Sequence, residues 1–293
     1  MPRTDIQMRD YTQVNNMNLF SPTTIKELCA TYGFAPSKAY GQNYLISESA
    51  ITKMVAAGEL AKSDTVVEIG PGFGVLTTAV APEVAQVYSF EIEQTLRPYW
   101  EDMHKTYPNV EMIWGNAMYT FQDHVANFPA GYKVMANLPY QITSQLLRML
   151  LETVPAPERI VAMVQKEVAQ RICEAPGQMS LLALSVQYYG EPKTVTNVPS
   201  GSFWPAPKVD SAVIAINSIG KAPRASTPEQ FFAIAKAAYA SKRKKMMKNV
   251  VGGTPFSAEQ VAAAMEAEGL SSNARAQELS VHQFDSLAAT LYS

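Results

Sequence analysis

Apolar positions along the chain fall into short runs separated by helical stripes. Residues 65–69 form an almost continuous apolar run, which indicates a buried strand, and the spacing of Ile51, Met54 and Val55 before it indicates a helix. Comparable runs predict further strands at residues 86–91, 110–114, 132–136 and 159–165, with helical patterns beginning near Leu76, Gln94, Thr143 and Glu167. Strands that alternate with helices in this way predict a mostly parallel sheet with helices on both faces.

The ends of the chain carry different patterns from its middle. Ser21 and Pro22 predict the start of a helix, because serine caps a first turn and proline fits its backbone angle. The residues before them are expected to form a loose tail. Two β-rich stretches, residues 193–198 and 209–217, are expected to add antiparallel strands at one edge of the sheet.

A change in composition marks a domain boundary. Residues 218–228 are rich in alanine, proline, serine and threonine, which is typical of a linker. Helices are predicted after this linker at residues 229–248, 258–268 and 281–292. We therefore expect an N-terminal tail and helix at residues 1–37, one large α/β domain at residues 38–220 and a small helical domain at residues 221–293.

The composition is that of a soluble globular protein. The chain has 293 residues, 47% of them hydrophobic, which is enough for a substantial core. No apolar run approaches the roughly 20 residues that a membrane-spanning helix needs, so no membrane association is expected. Cys29 and Cys173 are too few for a disulfide framework or a structural zinc site, and the three histidines lack metal-ligand spacing. We expect a cytoplasmic protein without a bound metal.

The distribution of charge along the chain is more informative about binding partners than the net charge of -2. Six basic residues and no acidic one occur from Lys236 to Lys248, and the four between them are Lys242, Arg243, Lys244 and Lys245. Such a cluster is either the solvated face of a helix or a surface that contacts phosphates. The pattern by itself leaves both interpretations open.

A glycine-rich turn follows the strand at residues 65–69. Gly70 and Gly72 lie where that strand ends and a helix begins, the position at which a doubly wound sheet binds ligands. A tight turn without a ligand would give the same pattern. The next strand ends in Glu91, 21 residues after Gly70, and its carboxylate can accept hydrogen bonds from both hydroxyls of an adenosine ribose. Together these features predict a nucleoside site.

A second motif lies at the same edge of the predicted sheet, directly after residues 132–136. It consists of Asn137, Leu138, Pro139 and Tyr140. The side-chain oxygen of Asn137 and the carbonyl of Leu138 can accept the two hydrogens of an adenine amino group, which favours a pyramidal nitrogen with an available lone pair. Pro139 stiffens the loop, and Tyr140 offers a ring that can stack on the base.

A third candidate is Phe203, which lies in a proline-rich loop between strands. Opposite Tyr140 it would provide a second stacking face for a base that has been pulled out of its stack. An aromatic residue of the core would fit the same pattern.

These motifs, taken in order, resemble those of the 16S ribosomal RNA adenine dimethyltransferase family. The resemblance runs from about residue 38 to residue 216 through the segments 41–45, 68–74, 137–140, 163–171 and 203–211. It implies a Rossmann-like sheet of an S-adenosylmethionine-dependent methyltransferase with helices on both faces, followed by a small helical domain that binds RNA. It also implies dimethylation of the N6 amines of two adjacent adenines near the 3′ end of 16S rRNA during small-subunit biogenesis, with S-adenosylhomocysteine as product.

The resemblance implies roles for individual residues by their position in the motifs. Cofactor contacts are implied at Asn43, Leu45, Gly70, Gly72, Glu91, Asn116 and Asn137, and the catalytic set is Asn137, Leu138, Pro139, Tyr140 and Phe203. RNA phosphates would be contacted by Lys242, Arg243, Lys244, Lys245 and Lys248. The implied partner is small-subunit rRNA or an assembling 30S subunit, and the chain is expected to act as a monomer.

The sequence departs from the family pattern in its cofactor site. Asn116 stands where the family usually has an aspartate that accepts a hydrogen bond from the cofactor adenine, so a charge-assisted bond becomes a neutral one. We expect cofactor binding to be weaker by an amount on the order of 1 kcal/mol. Glu93 replaces a common aspartate. Gln141 and Thr143 replace asparagine and serine, a change that leaves the atoms proposed to hold the base in place.

Other activities on a similar scaffold explain the motifs less well. Gly41, Leu138 and the segment 165–169 favour the small-subunit family over the related macrolide-resistance family, which methylates one adenine of 23S rRNA. A DNA adenine methyltransferase would carry a large target-recognition insertion. A non-catalytic ribosome-assembly or transcription factor would not need Glu91 and residues 137–140, and a dehydrogenase would leave residues 137–140 unexplained.

Overall fold

A computed structural model describes residues 17–36, 42–241 and 244–293 of the chain. Within these ranges the strands are β1 (Tyr44–Leu45), β2 (Thr65–Ile69), β3 (Gln86–Glu91), β4 (Val110–Trp114), β5 (Lys133–Asn137), β6 (Arg159–Gln165), β7 (Glu191–Val198), β8 (Phe203–Trp204) and β9 (Ser211–Asn217). The α-helices are α1 (Pro22–Thr31), α2 (Glu48–Gly58), α3 (Thr77–Val80), α4 (Arg97–Thr106), α5 (Ala117–His124), α6 (Thr143–Glu152), α7 (Lys166–Ile172), α8 (Leu181–Gln187), α9 (Pro228–Ala238), α10 (Met246–Gly253), α11 (Ala258–Ala267) and α12 (Val281–Tyr292). Short 3-10 helices cover Ala81–Glu83, Gln94–Leu96, Val125–Asn127, Ser200–Ser202 and Ala276–Glu278.

The main sheet contains seven of the described strands in the spatial order β4-β3-β2-β5-β6-β9-β7. The pairs from β4 across to β6 are parallel, whereas β9 runs antiparallel to β6 with Ser211 opposite Gln165. Every residue of β2 is buried, as expected for a strand in a parallel sheet with helices on both faces. The predicted parallel sheet and the antiparallel addition of β9 are thus confirmed.

The N-terminal part of the described chain supports the sheet edge at which the strands end. Helix α1 begins as predicted, with the Ser21 side chain accepting the Thr24 N–H at 3.5 Å and Pro22 in the first turn. Strand β1 then pairs antiparallel with β8, which places Tyr44 opposite Trp204 and Leu45 opposite Phe203. This two-stranded pairing brings the segment before α2 together with the proline-rich loop.

The chain divides into two units. Unit 1 is Met1–Ala169 with Lys193–Asn217, and unit 2 is Gln170–Pro192 with Ser218–Ser293. The change after Asn217 lies close to the boundary expected near residue 220, but residues 170–192 were expected in the large domain and belong instead to unit 2. Their backbone explains this, because the N–H groups of Gly177 and Met179 both donate to the carbonyl of Gln277.

The basic segment of unit 2 does not lie on one continuous helix. Residues 229–248 were predicted as a single helix, but α9 ends at Ala238 and α10 begins at Met246. The buried Asn249 side chain donates to the carbonyls of Ala238 at 2.7 Å and Ser241 at 2.9 Å. Asn249 thereby satisfies acceptors at the end of α9 that have no partner within the helix. The single-helix prediction was therefore wrong.

Two short helices were not predicted at all. Helix α5 has eight residues and α8 has seven. Each begins at a side-chain cap: Asn116 accepts the Met118 N–H at 3.0 Å, and Ser180 accepts the Ala183 N–H at 3.1 Å. The cap of α5 is also a predicted cofactor residue.

Candidate active site

The turn between β2 and α3 follows the predicted glycine pattern. Gly70 and Gly72 have φ angles of 73° and 56°, in the region that favours glycine. The Trp100 Nε1 of α4 donates to the Gly72 carbonyl at 3.0 Å and holds the turn in place. A Cβ atom at Gly70 would meet no atom beyond its chain neighbours within 4 Å. Gly70 therefore faces open space.

A cavity opens at the carboxyl ends of β2, β3 and β5. The predicted site residues in its lining are Asn43, Leu45, Gly70, Gly72, Glu91, Asn137, Leu138, Pro139 and Tyr140. Residues without a predicted role complete it, namely Gln42, Tyr44, Glu68, Pro71, Val75, Leu76, Ile92 and Leu96. Because parallel strands end at the same edge of a sheet, residues that are far apart in sequence converge here.

Glu91 is held by the backbone around it. One carboxylate oxygen accepts the Gly72 N–H at 3.1 Å and the other accepts the Glu93 N–H at 2.8 Å. Glu91 is only 4% exposed, and burial raises the pKa of its carboxyl group, while these backbone hydrogen bonds oppose the rise. Each oxygen keeps a second lone pair, so the carboxylate can still accept hydrogen bonds from a ligand.

A second cavity adjoins the first. Both linings contain Gly70, Glu91, Ile92 and Pro139. Asn116 belongs to the second cavity, together with the apolar side chains of Ile142 and Leu146. The Asn116 side-chain oxygen caps α5, but a carbonyl oxygen can accept two hydrogen bonds. Asn116 can therefore cap the helix and accept one bond from a ligand.

The loop after β5 carries two acceptors. The Asn137 Nδ2 donates to the Asn43 carbonyl at 3.2 Å, and because a carbonyl only accepts, this bond leaves Oδ1 as the acceptor of the amide. The Leu138 N–H donates to the Met163 carbonyl at 3.1 Å. Among the described residues, no donor is bonded to the carbonyl oxygen of Leu138. Both predicted acceptors therefore keep capacity for a substrate amine.

Tyr140 ends this motif and is partly buried. Its hydroxyl lies 2.5 Å from the Oγ of Ser211, the first residue of β9. Burial raises the pKa of the Tyr140 hydroxyl, and the hydrogen bond to Ser211 opposes that rise. The hydroxyl group is thus neutral at physiological pH and already engaged.

Phe203 lies in the core of unit 1. Its side chain is 3% exposed, and it is absent from the linings of both cavities. Phe203 pairs with Leu45 across β1 and β8, and Leu45 lines the first cavity. Phe203 therefore contributes to the site through its neighbour. This position matches the alternative interpretation of Phe203 as an aromatic residue of the core. A stacking role for Phe203 stays a prediction.

Glu68 lines the first cavity but was given no role from the sequence. It is 3% exposed and accepts hydrogen bonds from Thr77 Oγ1 at 2.6 Å and Ser89 Oγ at 2.9 Å. Burial raises the pKa of Glu68 to about 7. The sequence contains a signal for a role of Glu68, since it is an acidic residue inside an otherwise apolar strand. Buried carboxylates are rare without a partner or a ligand.

The basic cluster is described only in part, since Lys242 and Arg243 lie outside the described residues. Lys244 and Lys248 are exposed, and neither takes part in an ion pair between described residues. The Lys245 ammonium donates to the side chain of Asn273. Unit 2 therefore presents at least two cations that are available to phosphate groups.

Residues 17–36, 42–241 and 244–293 contain neither a group of side chains suited to hold a metal ion nor a helix suited to span a membrane. No three histidine, cysteine, aspartate or glutamate side chains there are grouped in a way that could hold a metal ion. No helix in these ranges has both the length and the apolar character needed to cross a bilayer.

Known proteins are similar to this chain in sequence. The family model of ribosomal RNA adenine dimethylase matches residues 33–292. A ribosomal RNA small subunit methyltransferase A of Dehalococcoides mccartyi is 36% identical over 267 residues, which covers 89% of this chain and 90% of that protein. The protein of the same name from Bacillus licheniformis is 34% identical over 287 residues, with 94% and 98% covered.

Solved structures share the fold. A dimethyladenosine transferase from Plasmodium falciparum superposes with a TM-score of 0.72 at 24% identity, over 83% of this chain and 95% of the other. A 23S rRNA methyltransferase named ErmE does so with a TM-score of 0.68 at 24% identity, over 85% and 99%. These two structures bear on the fold alone. Because the family model spans nearly the whole chain and the curated relatives align along almost their full length, the chain belongs to the ribosomal RNA adenine dimethylase family.

Proposed function

We propose that the chain dimethylates the N6 amines of two adjacent adenines near the 3′ end of 16S rRNA, using S-adenosylmethionine and releasing S-adenosylhomocysteine. Membership of its family makes the chain an rRNA adenine dimethyltransferase. The observation that carries the site assignment is the cavity that unites Glu91 with Asn137 and Tyr140. The choice of the small subunit is supported by the names of the curated relatives.

The two adjoining cavities are the proposed binding site for S-adenosylmethionine. Glycine at position 70 leaves open space where any other residue would place a Cβ atom. Glu91 would accept the ribose hydroxyls through the lone pairs that its backbone bonds leave free. Asn116 and Ile92 in the second cavity would contact the adenine. Further contacts would come from Asn43, Leu45 and Gly72.

When bound, S-adenosylmethionine supplies a methyl group on a positively charged sulfur. The residues of the chain would hold the substrate amine, whose lone pair is otherwise delocalised into the adenine ring. In the first transfer Asn137 Oδ1 and the Leu138 carbonyl would accept hydrogen bonds from its two hydrogens, and in the second transfer one of them would accept the single hydrogen that remains. These bonds favour a pyramidal nitrogen with its lone pair directed away from the acceptors. The proton that the nitrogen loses after each transfer would pass to solvent. Tyr140 would stack on the base, and Pro139 would limit the motion of the loop. Orientation of this kind lowers the barrier without a general base.

An alternative substrate is 23S rRNA, the substrate named for ErmE. That structure is 24% identical to this chain, whereas the relatives named for the small subunit are 36% and 34% identical over most of both chains. The small-subunit assignment therefore has more support. A non-catalytic role on the same scaffold has less, because the cavity retains Glu91 and all of residues 137–140.

The proposal extends to the partner and the setting. An assembling 30S subunit is the proposed substrate particle, and the chain would act on it as a monomer in the cytoplasm. Neither Cys29 nor Cys173 forms a disulfide, which fits a reducing compartment. The exposed cations Lys244 and Lys248 would contact phosphates of the rRNA.

The location of transferred methyl groups tests the function. The protein is incubated with labelled S-adenosylmethionine and with unmethylated 30S subunits, free 16S rRNA, 50S subunits or DNA in parallel. Label on adjacent adenines near the 3′ end of 16S rRNA is expected, and the two small-subunit substrates distinguish the particle from free rRNA. Label found only in 23S rRNA or DNA would refute the assignment.

The substitution Asn137→Ala tests the catalytic role of the loop. It removes one acceptor for the substrate amine, and we expect methyl transfer to fall by about a hundredfold or more. Cofactor binding should be largely kept, because the other proposed cofactor contacts remain. Transfer rates on 30S subunits and calorimetric titration with S-adenosylhomocysteine measure the two quantities. Unchanged transfer would contradict the role given to Asn137.

A further inference from the structure

The hydroxyl of Tyr140 is tied to a residue that has no assigned role. It lies 2.5 Å from the Oγ of Ser211, which is fully buried at 0% exposure. Tyr140 follows β5, whereas Ser211 begins β9, two positions away in the order of the sheet. The hydrogen bond therefore spans the end of β6 and joins the catalytic loop to a strand that supplies no residue to the cavity lining.

Ser211 is itself held firmly. It lies opposite Gln165 in the antiparallel pair of β6 and β9. The residue before it, Asp210, accepts the Lys166 N–H on its backbone carbonyl at 3.0 Å and the Ser200 N–H on its side chain at 3.0 Å. Because its backbone is paired with β6 and its side chain is fully buried, Ser211 keeps its hydroxyl at a fixed place at the start of β9.

The remainder of the catalytic loop is fixed by other means. The Leu138 N–H is bonded to β6, and the Pro139 carbonyl accepts the Thr143 Oγ1 at 2.9 Å. An aromatic ring can still turn about its side-chain bonds when only its backbone is held. The tilt of the Tyr140 ring is therefore set at the far end of the side chain, by the bond to Ser211.

We propose that Ser211 is a positioning residue that holds the Tyr140 ring in the plane in which it stacks on the target adenine. This inference rests on the proposed function, in which Tyr140 stacks on the base. Two aromatic planes stack well only over a narrow range of tilt, so a fixed ring offers a better surface than a free one. The engaged, neutral hydroxyl of Tyr140 accordingly contributes orientation and no proton transfer.

The bond can be removed from either end. Ser211→Ala deletes the anchor, and Tyr140→Phe keeps the ring but deletes the hydroxyl. We expect each variant to lower kcat/KM for 30S subunits roughly 3- to 10-fold, the range expected for one hydrogen bond. The double variant is expected to be no worse than either single variant, because both changes remove the same interaction. Cofactor affinity is expected to stay at the wild-type value in all three.

A binding measurement separates stacking from transfer. An RNA hairpin with the target sequence carries the fluorescent base 2-aminopurine in place of the target adenine, and stacking on Tyr140 quenches its emission. Both single variants are expected to quench less than the wild-type protein at saturating concentration. Thermal unfolding of each variant identifies any loss of stability, and Ser185→Ala serves as the control because the Ser185 hydroxyl donates to a carbonyl of its own helix, that of Leu182.

The outcomes distinguish the inference from the function on which it rests. A wild-type protein that methylates no rRNA refutes the proposed function. If the wild-type protein is active and Ser211→Ala matches it in kcat/KM and quenching, Ser211 has no positioning role, whatever its effect on stability. Additive losses in the double variant would also overturn the inference, because they would show two separate interactions.

Discussion

Glu68 and Glu91 lie in one cavity, but their surroundings affect their carboxyl groups differently. Both are buried, which raises the pKa of each. Glu91 accepts N–H groups of the backbone, and these oppose the rise. Glu68 accepts the hydroxyls of Thr77 and Ser89, with no backbone N–H group bonded to it among the described residues, and burial raises its pKa to about 7. Glu91 is therefore suited to accept bonds from a ligand, whereas Glu68 changes its charge near neutral pH.

The raised pKa of Glu68 predicts a pH-dependent stability. The folded protein binds this proton more tightly than the unfolded chain, so stability falls as pH rises from about 4.5 to about 7. Glu68→Gln removes the titration and retains an oxygen that accepts the same two hydroxyls. Relative to wild type, the variant should gain roughly 3 kcal/mol in free energy of unfolding across that window.

Urea denaturation of the cofactor-free protein at several pH values measures this difference. Glu266→Gln, the same change at an exposed position of α11, separates the effect of burial from that of the substitution. A constant difference between Glu68→Gln and wild type at all pH values would contradict the prediction.

Asn116→Asp tests the departure from the family pattern in the cofactor site. Aspartate also caps helices and places a negative charge at the N-terminus of α5, so the fold should be kept. We expect tighter binding of S-adenosylhomocysteine by on the order of 1 kcal/mol, or about fivefold, because the bond to the adenine becomes charge-assisted.

Calorimetric titration measures the affinity of Asn116→Asp. Asn116→Ser is the matched control, since serine caps the helix without adding charge or reaching as far into the cavity. Clearly weaker binding by the aspartate variant would mean that the adenine is held in another way.

At the scale of elements, the strands around the site were predictable and the helix arrangement of unit 2 was not. The apolar runs predicted β2, β3 and β4 with their observed bounds, since strands of a parallel sheet that is covered by helices are rich in apolar residues. The break between α9 and α10 depends on Asn249, whose side chain reaches back to the end of α9. No local pattern marks that contact.

The break places the described part of the basic cluster at the start of α10 and predicts which lysines matter. Lys244→Gln and Lys248→Gln each remove an exposed cation without an ion-pair partner among the described residues. Each should weaken rRNA binding and lower the slope of log affinity against log salt by about 0.7 to 0.9. Lys245→Gln should do less, because that side chain is engaged by Asn273.

Fluorescence anisotropy with an rRNA fragment at several salt concentrations measures both quantities. Lys105→Gln is the control, because Lys105 is an exposed cation of α4 in unit 1 that pairs with Asp102 at 2.8 Å. Equal slopes for the control and for the α10 variants would argue against a phosphate-binding role of the cluster.

At the scale of the whole molecule, each unit has its own apolar core. In unit 1 the core surrounds the sheet and includes Leu147 of α6, and in unit 2 it is formed by the helices and includes Leu287 of α12. Both leucines are 0% exposed. All predicted cofactor residues belong to unit 1. Cofactor binding and the core of unit 2 should therefore be separable.

Two matched substitutions test this separation. Leu147→Ala and Leu287→Ala should each cost about 2–5 kcal/mol in the unit that carries them. S-adenosylhomocysteine at about 100 times its Kd should stabilise unit 1 by about 2.7 kcal/mol. In calorimetry, the ligand should raise the midpoint temperature of the unfolding transition that Leu147→Ala lowers. It should leave unchanged the midpoint temperature of the transition that Leu287→Ala lowers. A single transition that responds to both substitutions and to the ligand would contradict the prediction.

The sequence by itself determined the sheet, the glycine turn and the loop at residues 137–140, because these depend on local patterns: apolar runs, glycine at positive φ, and a proline after a strand end. Its motifs also indicated the family. Only the tertiary structure decided that Phe203 lies in the core, that Glu68 joins the cavity and that Ser211 anchors Tyr140. Burial and hydrogen bonding at those positions depend on residues that are distant in the chain and meet only when the sheet has formed.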